Sequence, residues 1–259
     1  MALPVVESTN LTARTLFGGA AAKDLAALDR TVVWAGEQSG GRGRQARVWH
    51  SPPGNLYHSY LLRAPKPVGQ CAQLSFVAAV ALAEAVERLC PLADPRCKWP
   101  NDIVCHGGKI SGMLLELIEE GEGGNPWLVL GIGVNIITAP VTGALFPALA
   151  LADLGCAVTV EDMLGAIAAR LDHWLARWQA EGFAGIRAAW IARALGIGFP
   201  IEVRLSEETR LPGIFQGLDA EGHLLLEEPS GRVRRISAGD VFFPGRHGGS
   251  EGCSLQSTA

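Results

Sequence analysis

A chain of 259 residues that is 48% apolar and 19% charged can bury a substantial core, which excludes global disorder. Its formal net charge of -4 provides no overall basic field of the kind that holds nucleic acid, so no nucleic-acid partner is expected. Cys71, Cys90, Cys97, Cys105, Cys156 and Cys253 form no Cys-x-x-Cys pair and no zinc-ligand spacing, and the first residues lack the basic-then-apolar layout of a signal peptide. The apolar stretches, such as Phe76 to Ala85, read as too short and too interrupted to span a bilayer. The expectation is a cytoplasmic chain with free thiols and no membrane partner.

In chain order, Glu7-Ser8-Thr9-Asn10 precedes a helix, for which Ser, Thr and Asn are ordinary capping residues. Thr31 to Ala35 reads as a short buried strand running into a glycine- and arginine-rich loop, Gly36 to Arg44. Asn55 to Leu62 is a second strand. Between Gln70 and Cys90, apolar residues recur at helical spacing (Leu74, Val77, Ala81, Leu82, Ala85, Val86 and Leu89). Arg96 to Trp99 is a short strand stopped by Pro100. Ile103 to His106, a Gly107-Gly108 turn and Lys109 to Ile118 form a hairpin-like pair, and Trp127 to Ile137 is a further strand. A second long helix runs from Val160 past Trp178, with Thr159 as its cap. From Gly196 on, short runs (Ile201 to Leu205, Gly213 to Leu218, His223 to Glu227, Arg232 to Ser237) are separated by turn signals and predict a small antiparallel barrel. The predicted architecture is therefore an α/β main domain over residues 1–195, a small β domain over 196–245, and a Gly- and Ser-rich disordered tail over 246–259.

Five segments could carry chemistry. In Gly40 to Trp49, three arginines (Arg42, Arg44, Arg47) lie on a backbone loosened by glycine; guanidinium forks bind carboxylate and phosphate, and Trp49 could cover an apolar or aromatic group. The alternative is a solvated basic turn. Lys98-Trp99-Pro100-Asn101-Asp102 reads by itself as a tight structural turn. Lys109-Ile110-Ser111-Gly112 opens a strand. Strict alternation there puts Lys109, Ser111 and Met113 on one face, with Gly112 leaving room for a ligand. Gly131-Ile132-Gly133-Val134-Asn135 fits a closely packed strand and is too short for a dinucleotide fingerprint. No Gly-x-x-x-x-Gly-Lys-Ser/Thr loop occurs either. The donors and acceptors of Ser8-Thr9-Asn10 could hold a small polar ring such as a urea.

In this order and spacing, the five segments resemble the biotin protein ligase family over about residues 5 to 245; Glu116 belongs to the third of them. The resemblance implies an α+β fold: a mixed-sheet catalytic domain of the biotin/lipoate ligase type packed with helices, followed by a small SH3-like β-barrel. It implies ATP-dependent formation of biotinyl-5′-AMP, with Mg²⁺ accompanying the nucleotide, and transfer of biotin to a lysine of a biotin carboxyl carrier protein or domain. Lys109 is implied to lie beside the biotin carboxylate and the α-phosphate, and Arg42 and Arg44, with Gly41 and Gly43, to fold over the adenylate. Ser8, Thr9, Asn10 and Gln38 are implied to bind the ureido ring, with Gly112 lining the pocket. Arg44, Arg47, Trp49, Asn101 and Asn135 are implied on the nucleotide side. The family loop more often reads Gly-Arg-Gly-Arg-Arg-Gly-Arg-x-Trp, whereas Gln45-Ala46 stands here in place of Arg-Gly. With Ser8 so near the start, the expectation is the form without a DNA-binding domain. Monomer and homodimer are both compatible. The nearest rival is a lipoate or octanoate ligase or transferase of the same superfamily; a binding protein without catalysis is the rival from another class.

Overall fold

The strand-forming runs of the first 134 residues assemble into one seven-stranded sheet, seen in a computed structural model that describes residues 1–119, 125–141 and 146–244. Its order is β1 (Ala2–Val6), β2 (Val32–Gln38), β3 (Leu56–Arg63), β7 (Trp127–Val134), β6 (Gly108–Glu119), β5 (Asp102–Cys105) and β4 (Arg96–Lys98). Only β1 and β2 pair in parallel; every other neighbour is antiparallel. The sheet is therefore mixed, as expected. The β5–β6 hairpin turns at His106-Gly107, where both residues have positive φ.

Several strand boundaries differ from expectation: β7 ends at Val134 rather than Ile137, and β1 and β2 differ more. Strand β2 continues through Gly36, Glu37 and Gln38 because β1 supplies ladder partners for them: Val5 opposes Glu37 and Val6 opposes Gln38. Strand β1 itself has no periodic signature, and its pairing comes from the crossover through α1 (Thr9–Gly19).

Helices pack on both faces of the sheet, and its alternation sorts the residues. Along β3, Leu56, Tyr60 and Leu62 enter a large core with α3 (Leu74–Leu89), α4 (Val160–Glu181) and α5 (Phe183–Ala192). On the opposite face, Leu61 joins Val33, Trp127 and Val129 against Ala13 and Phe17 of α1. Helix α4 is capped as expected, the Thr159 hydroxyl oxygen accepting from the Asp162 amide at 3.1 Å. The long helical pattern between Gln70 and Cys90 divides into α2 (Val68–Cys71) and α3. By length and composition Val68–Leu89 does suffice to cross a membrane, contrary to the sequence expectation, yet 67% of its most apolar window is buried within the protein. Its apolarity serves the core: Phe76, Val77, Val80 and Leu82 all pack there.

One buried group on β3 makes stability depend on pH. His58 is fully buried among the helices, neither ring nitrogen has a hydrogen-bond partner among the described residues, and burial pushes its pKa down to about 3. Below pH ~6.5 the unfolded chain binds a proton that the folded state refuses. The stability is thus intact above that pH and declines as pH falls, by about 2 kcal/mol at pH 5. Urea titrations of the wild type and of His58→Leu at pH 7.5 and pH 5 should differ by about this amount in their pH-induced loss; equal losses would remove His58 as the cause.

The C-terminal part is a five-stranded antiparallel sheet in the order β11 (Val233–Ile236), β10 (Leu224–Glu227), β9 (Arg210–Leu218), β8 (Pro200–Arg204) and β12 (Asp240–Phe242). Four of these strands match the predicted runs; β12, only three residues long, carries no pattern of its own. Trp99 Nε1 donates to the Gly222 carbonyl at 3.2 Å, and Gly222 itself packs on Phe76 and Phe183, which seats this sheet against the main core. The expected disordered tail and Cys253 lie outside the described residues. Cys71, Cys90, Cys97, Cys105 and Cys156 are free thiols, as expected.

Candidate active site

The face of the main sheet that α1 leaves uncovered, next to β3, β7 and β6, opens into a cavity of about 1250 Å³. Its floor is flat because Gly112, Gly131 and Gly133 carry no side chains, and Gly112 and Gly133 are cross-strand partners. Trp49, from the Arg/Gly loop, lies on this floor. A Cβ on Gly133 would sit 2.5 Å from the Trp49 ring nitrogen, and one on Gly112 3.2 Å from its ring carbon.

At one end, buried polar groups form a connected array. Thr9 N–H donates to Gln38 Oε1 at 2.9 Å, and Gln38 Nε2 donates to Ser51 Oγ at 2.9 Å. The Ser59 hydroxyl lies 2.7 Å from Thr9 Oγ1 and 2.6 Å from Asn10 Oδ1. Asn10 Nδ2 donates to Glu116 at 2.7 Å. Ser8, Thr9 and Asn10 are each only 4% exposed. Ser8 occupies the N-cap position of α1 without a side-chain cap bond, so capping does not account for its hydroxyl.

The other end is cationic. Asp102 sits under two lysines, with Lys109 Nζ 2.6 Å from Oδ1 and Lys98 Nζ 3.7 Å from Oδ2. Burial by itself would raise the Asp102 pKa; the two ammonium groups reverse this and hold it below its usual value. Burial pulls the Lys98 pKa down to about 8 against the opposing effect of Asp102, and its Nζ stands 3.5 Å over the Phe146 ring. Lys109 is the more open lysine, its side chain 24% exposed. Burial also lowers the pKa of Arg44, whose guanidinium reaches Asn101 Oδ1 at 3.4 Å. Asn101 in turn donates to the Met113 carbonyl.

The alternation expected for Lys109, Ser111 and Met113 does not hold. Val104 opposes Lys109 while Ile103 opposes Ser111, so Ile110 is an extra residue in β6. This bulge turns Lys109 and Gly112 to the cavity and Ile110 into the helix-side core; Met113 belongs to that core and also reaches the cavity wall.

The cavity wall includes Ser8, Thr9, Asn10, Gln38, Arg42, Gly43, Arg44, Arg47, Trp49, Asn101, Lys109, Gly112 and Asn135, all singled out from sequence. Gly41 is the exception. It lies behind the wall, where a Cβ would collide with Ser51 Oγ and the Trp49 carbonyl. Sequence reading missed Lys98 and Asp102 as site residues, along with Ser59, Phe146, Arg204 and Asp240. Lys98 and Asp102 bracket the Trp99-Pro100-Asn101 turn, a local signal the sequence does carry; Ser59 sits in an ordinary strand run, and Asp240 has no local signal. Two buried polar atoms at the cavity, Trp49 Nε1 and Asn135 Oδ1, lack partners among the described residues. Such groups are costly unless a ligand or water meets them.

A polar pocket joined by a glycine floor to a cationic one suits an elongated ligand with a small hydrogen-bonding head and an anionic end. Residues 5–135 match the model of the biotin/lipoate A/B protein ligase family, and residues 196–243 match that of the biotin protein ligase C-terminal domain. The chain belongs to the biotin/lipoate A/B protein ligase family. Among curated members, a biotin–[acetyl-CoA-carboxylase] ligase of Paracoccus denitrificans is 42% identical over 219 residues, covering 82% of this chain and 90% of the relative. The bifunctional ligase/repressor BirA of Bacillus subtilis is 34% identical, over 92% of this chain and 71% of its own length. Among solved structures, the biotin protein ligase from Aquifex aeolicus in complex with biotin and ATP superposes with a TM-score of 0.77 at 25% identity, covering 93% of this chain and 97% of that one. The likeness spans both parts of the ligase fold.

Proposed function

We propose that this protein is a biotin ligase that activates biotin with ATP and transfers it to a lysine of a biotin carboxyl carrier protein or domain. The observation that carries this reading is the single cavity wall in which Thr9, Asn10 and Gln38, backed by Ser59, face across a glycine floor the group Lys109, Lys98, Arg44 and Arg42. The ureido ring of biotin, with two N–H donors and one carbonyl, suits the first; a carboxylate meeting a triphosphate needs the second. The similarity to biotin–[acetyl-CoA-carboxylase] ligases favours biotin over lipoate.

In the first step a biotin carboxylate oxygen attacks the α-phosphorus of ATP. The new P–O bond forms as the bond to the pyrophosphate oxygen breaks, giving biotinyl-5′-AMP. Negative charge gathers at the phosphorus, and Lys109 is the open cation placed to meet it. Asp102, fixed by Lys98, holds the Lys109 ammonium in place. In the second step the acceptor amine attacks the acyl carbon, AMP departs with the bonding electrons, and the amine loses its proton. Arg42, Gly43 and Arg44 cover the adenylate, which limits its hydrolysis. Trp49, Arg47, Asn101 and Asn135 serve the nucleotide, the unpartnered Asn135 Oδ1 being suited to an amino-group donor.

Mg²⁺ would enter with the nucleotide and supply charge neutralisation at its phosphates. Asp102 and Asp240, the cavity's buried carboxylates, are already held by cations, so the residues present fit an ion carried by phosphate oxygens rather than a protein-made cage. We place the catalytic domain at 1–195 and the small domain at 196–245, with the junction between α5 and β8.

The acceptor half of the proposal is tested with a biotin carboxyl carrier domain, biotin and Mg·ATP. One biotinyl group on one lysine of that domain is expected. An unmodified domain, in the presence of accumulated biotinyl-AMP, would reject this acceptor class.

A further inference from the structure

We infer that Asp240 is a positioning residue for the nucleotide loop: its carboxylate anchors Arg47, and through Arg47 the turn at Arg44–Ala46, to the C-terminal sheet. This rests on the ligase reading above for its kinetic consequences, though not for its structural ones.

The Arg47 guanidinium meets Asp240 as a fork, Nη2 at 3.0 Å from Oδ1 and Nη1 at 3.3 Å from Oδ2. Such two-pronged pairs fix geometry more strictly than a single contact. Asp240 opens β12 directly opposite Arg204 of β8, whose guanidinium is 3.7 Å from the same carboxylate. Arg44 reaches the carbonyl of the preceding Gly239 at 3.4 Å. Two loop arginines therefore end on two consecutive residues of the small sheet. Arg47, Asp240 and Arg204 together keep a net positive charge at the cavity, so the anchor does not cancel the loop's attraction for phosphate.

The loop needs an anchor because of its own sequence. Gln45 and Ala46 have φ of 55° and 57°, a left-handed conformation that L side chains resist. Conformations of this kind persist only where surrounding structure imposes them. The turn is closed by three hydrogen bonds: Gly43 N–H to Arg47 O at 2.7 Å, Arg47 N–H to Arg44 O at 3.2 Å, and Arg47 Nε to Arg44 O at 3.1 Å. Arg47 takes part in all three, and Asp240 holds Arg47. Residue 240 thus governs a loop 193 positions earlier in the chain.

The test compares Asp240→Asn, Asp240→Glu and Arg47→Gln with the unmodified full chain. In ligand-free protein, trypsin should cut after Arg44 and Arg47 about tenfold faster in Asp240→Asn and in Arg47→Gln, the double variant adding nothing further. The KM for ATP should rise about tenfold in Asp240→Asn, with a much smaller change in kcat and in biotin affinity measured without ATP, and Asp240→Glu should recover most of it. An unchanged cleavage rate overturns the inference, as does a parallel loss of melting temperature, biotin affinity and ATP affinity. Proteolysis involves no substrate, so an inactive unmodified chain would reject the ligase reading while leaving the anchor to be judged by cleavage. If Asp240→Asn does not fold, Arg47→Gln and Asp240→Glu decide by the same two readouts.

Discussion

Lys109→Ala should lower the rate of biotinyl-adenylate formation by about 10²–10³-fold, the range seen when one group stabilising transition-state charge is removed. Lys109 has the geometry for that role: 2.6 Å from Asp102, 24% exposed, and 5.3 Å from the Trp49 ring on the glycine floor. Lys98 cannot replace it, being only 5% exposed in its side chain and seated over Phe146. The fold should survive, since Asp102 keeps Lys98 and no core residue changes. Single-turnover pyrophosphate release with saturating biotin and Mg·ATP reads the chemistry, and far-ultraviolet circular dichroism reads the fold. Normal adenylate formation in the folded variant would remove Lys109 from its proposed role.

The second large effect belongs to a residue with no side chain. In Gly131→Ala, the new Cβ would collide with Asn10 Oδ1. Strand β7 lies between β3 and β6 and cannot yield, so Asn10 must move. It would give up its 2.6 Å contact with Ser59 and its 2.7 Å bond to Glu116. Displaced in this way, Asn10 no longer presents its amide to the ureido ring it is proposed to bind; two hydrogen bonds to the ligand lost at about 1 kcal/mol each would lower biotin affinity by roughly 30-fold. Calorimetric titration with biotin measures this directly. Unchanged affinity would exclude Asn10 and its neighbours from the biotin pocket.

What could be read from the sequence was local. The β5–β6 hairpin announces itself through Gly107-Gly108, and α4 through Thr159 and its apolar period, because each signal lies within a few residues of its effect. The Arg/Gly loop, Lys109 and the glycine pair of β7 were legible for the same reason. The rest depends on contacts between distant segments. Strand β1 becomes a strand only by adding to β2, and Gln38 becomes a strand residue only because β1 lies beside it. The extra residue at Ile110, which decides where Lys109 points, follows from how β6 pairs with β5, and alternation within Lys109–Met113 predicts the opposite. Lys98 and Asp102 were visible as a turn; their chemistry appears once two hairpins bring them under Lys109. Asp240, at the start of a three-residue strand, gains meaning only from Arg47.

The most direct test of the proposed chemistry is pyrophosphate release from Mg·ATP with biotin, lipoate or octanoate supplied separately, followed by mass analysis of the protein for a retained acyl-AMP. Release with biotin alone, with biotinyl-AMP held in the cavity, is the predicted result. Release with lipoate or octanoate instead, or no release with any of the three from a folded protein, would contradict it.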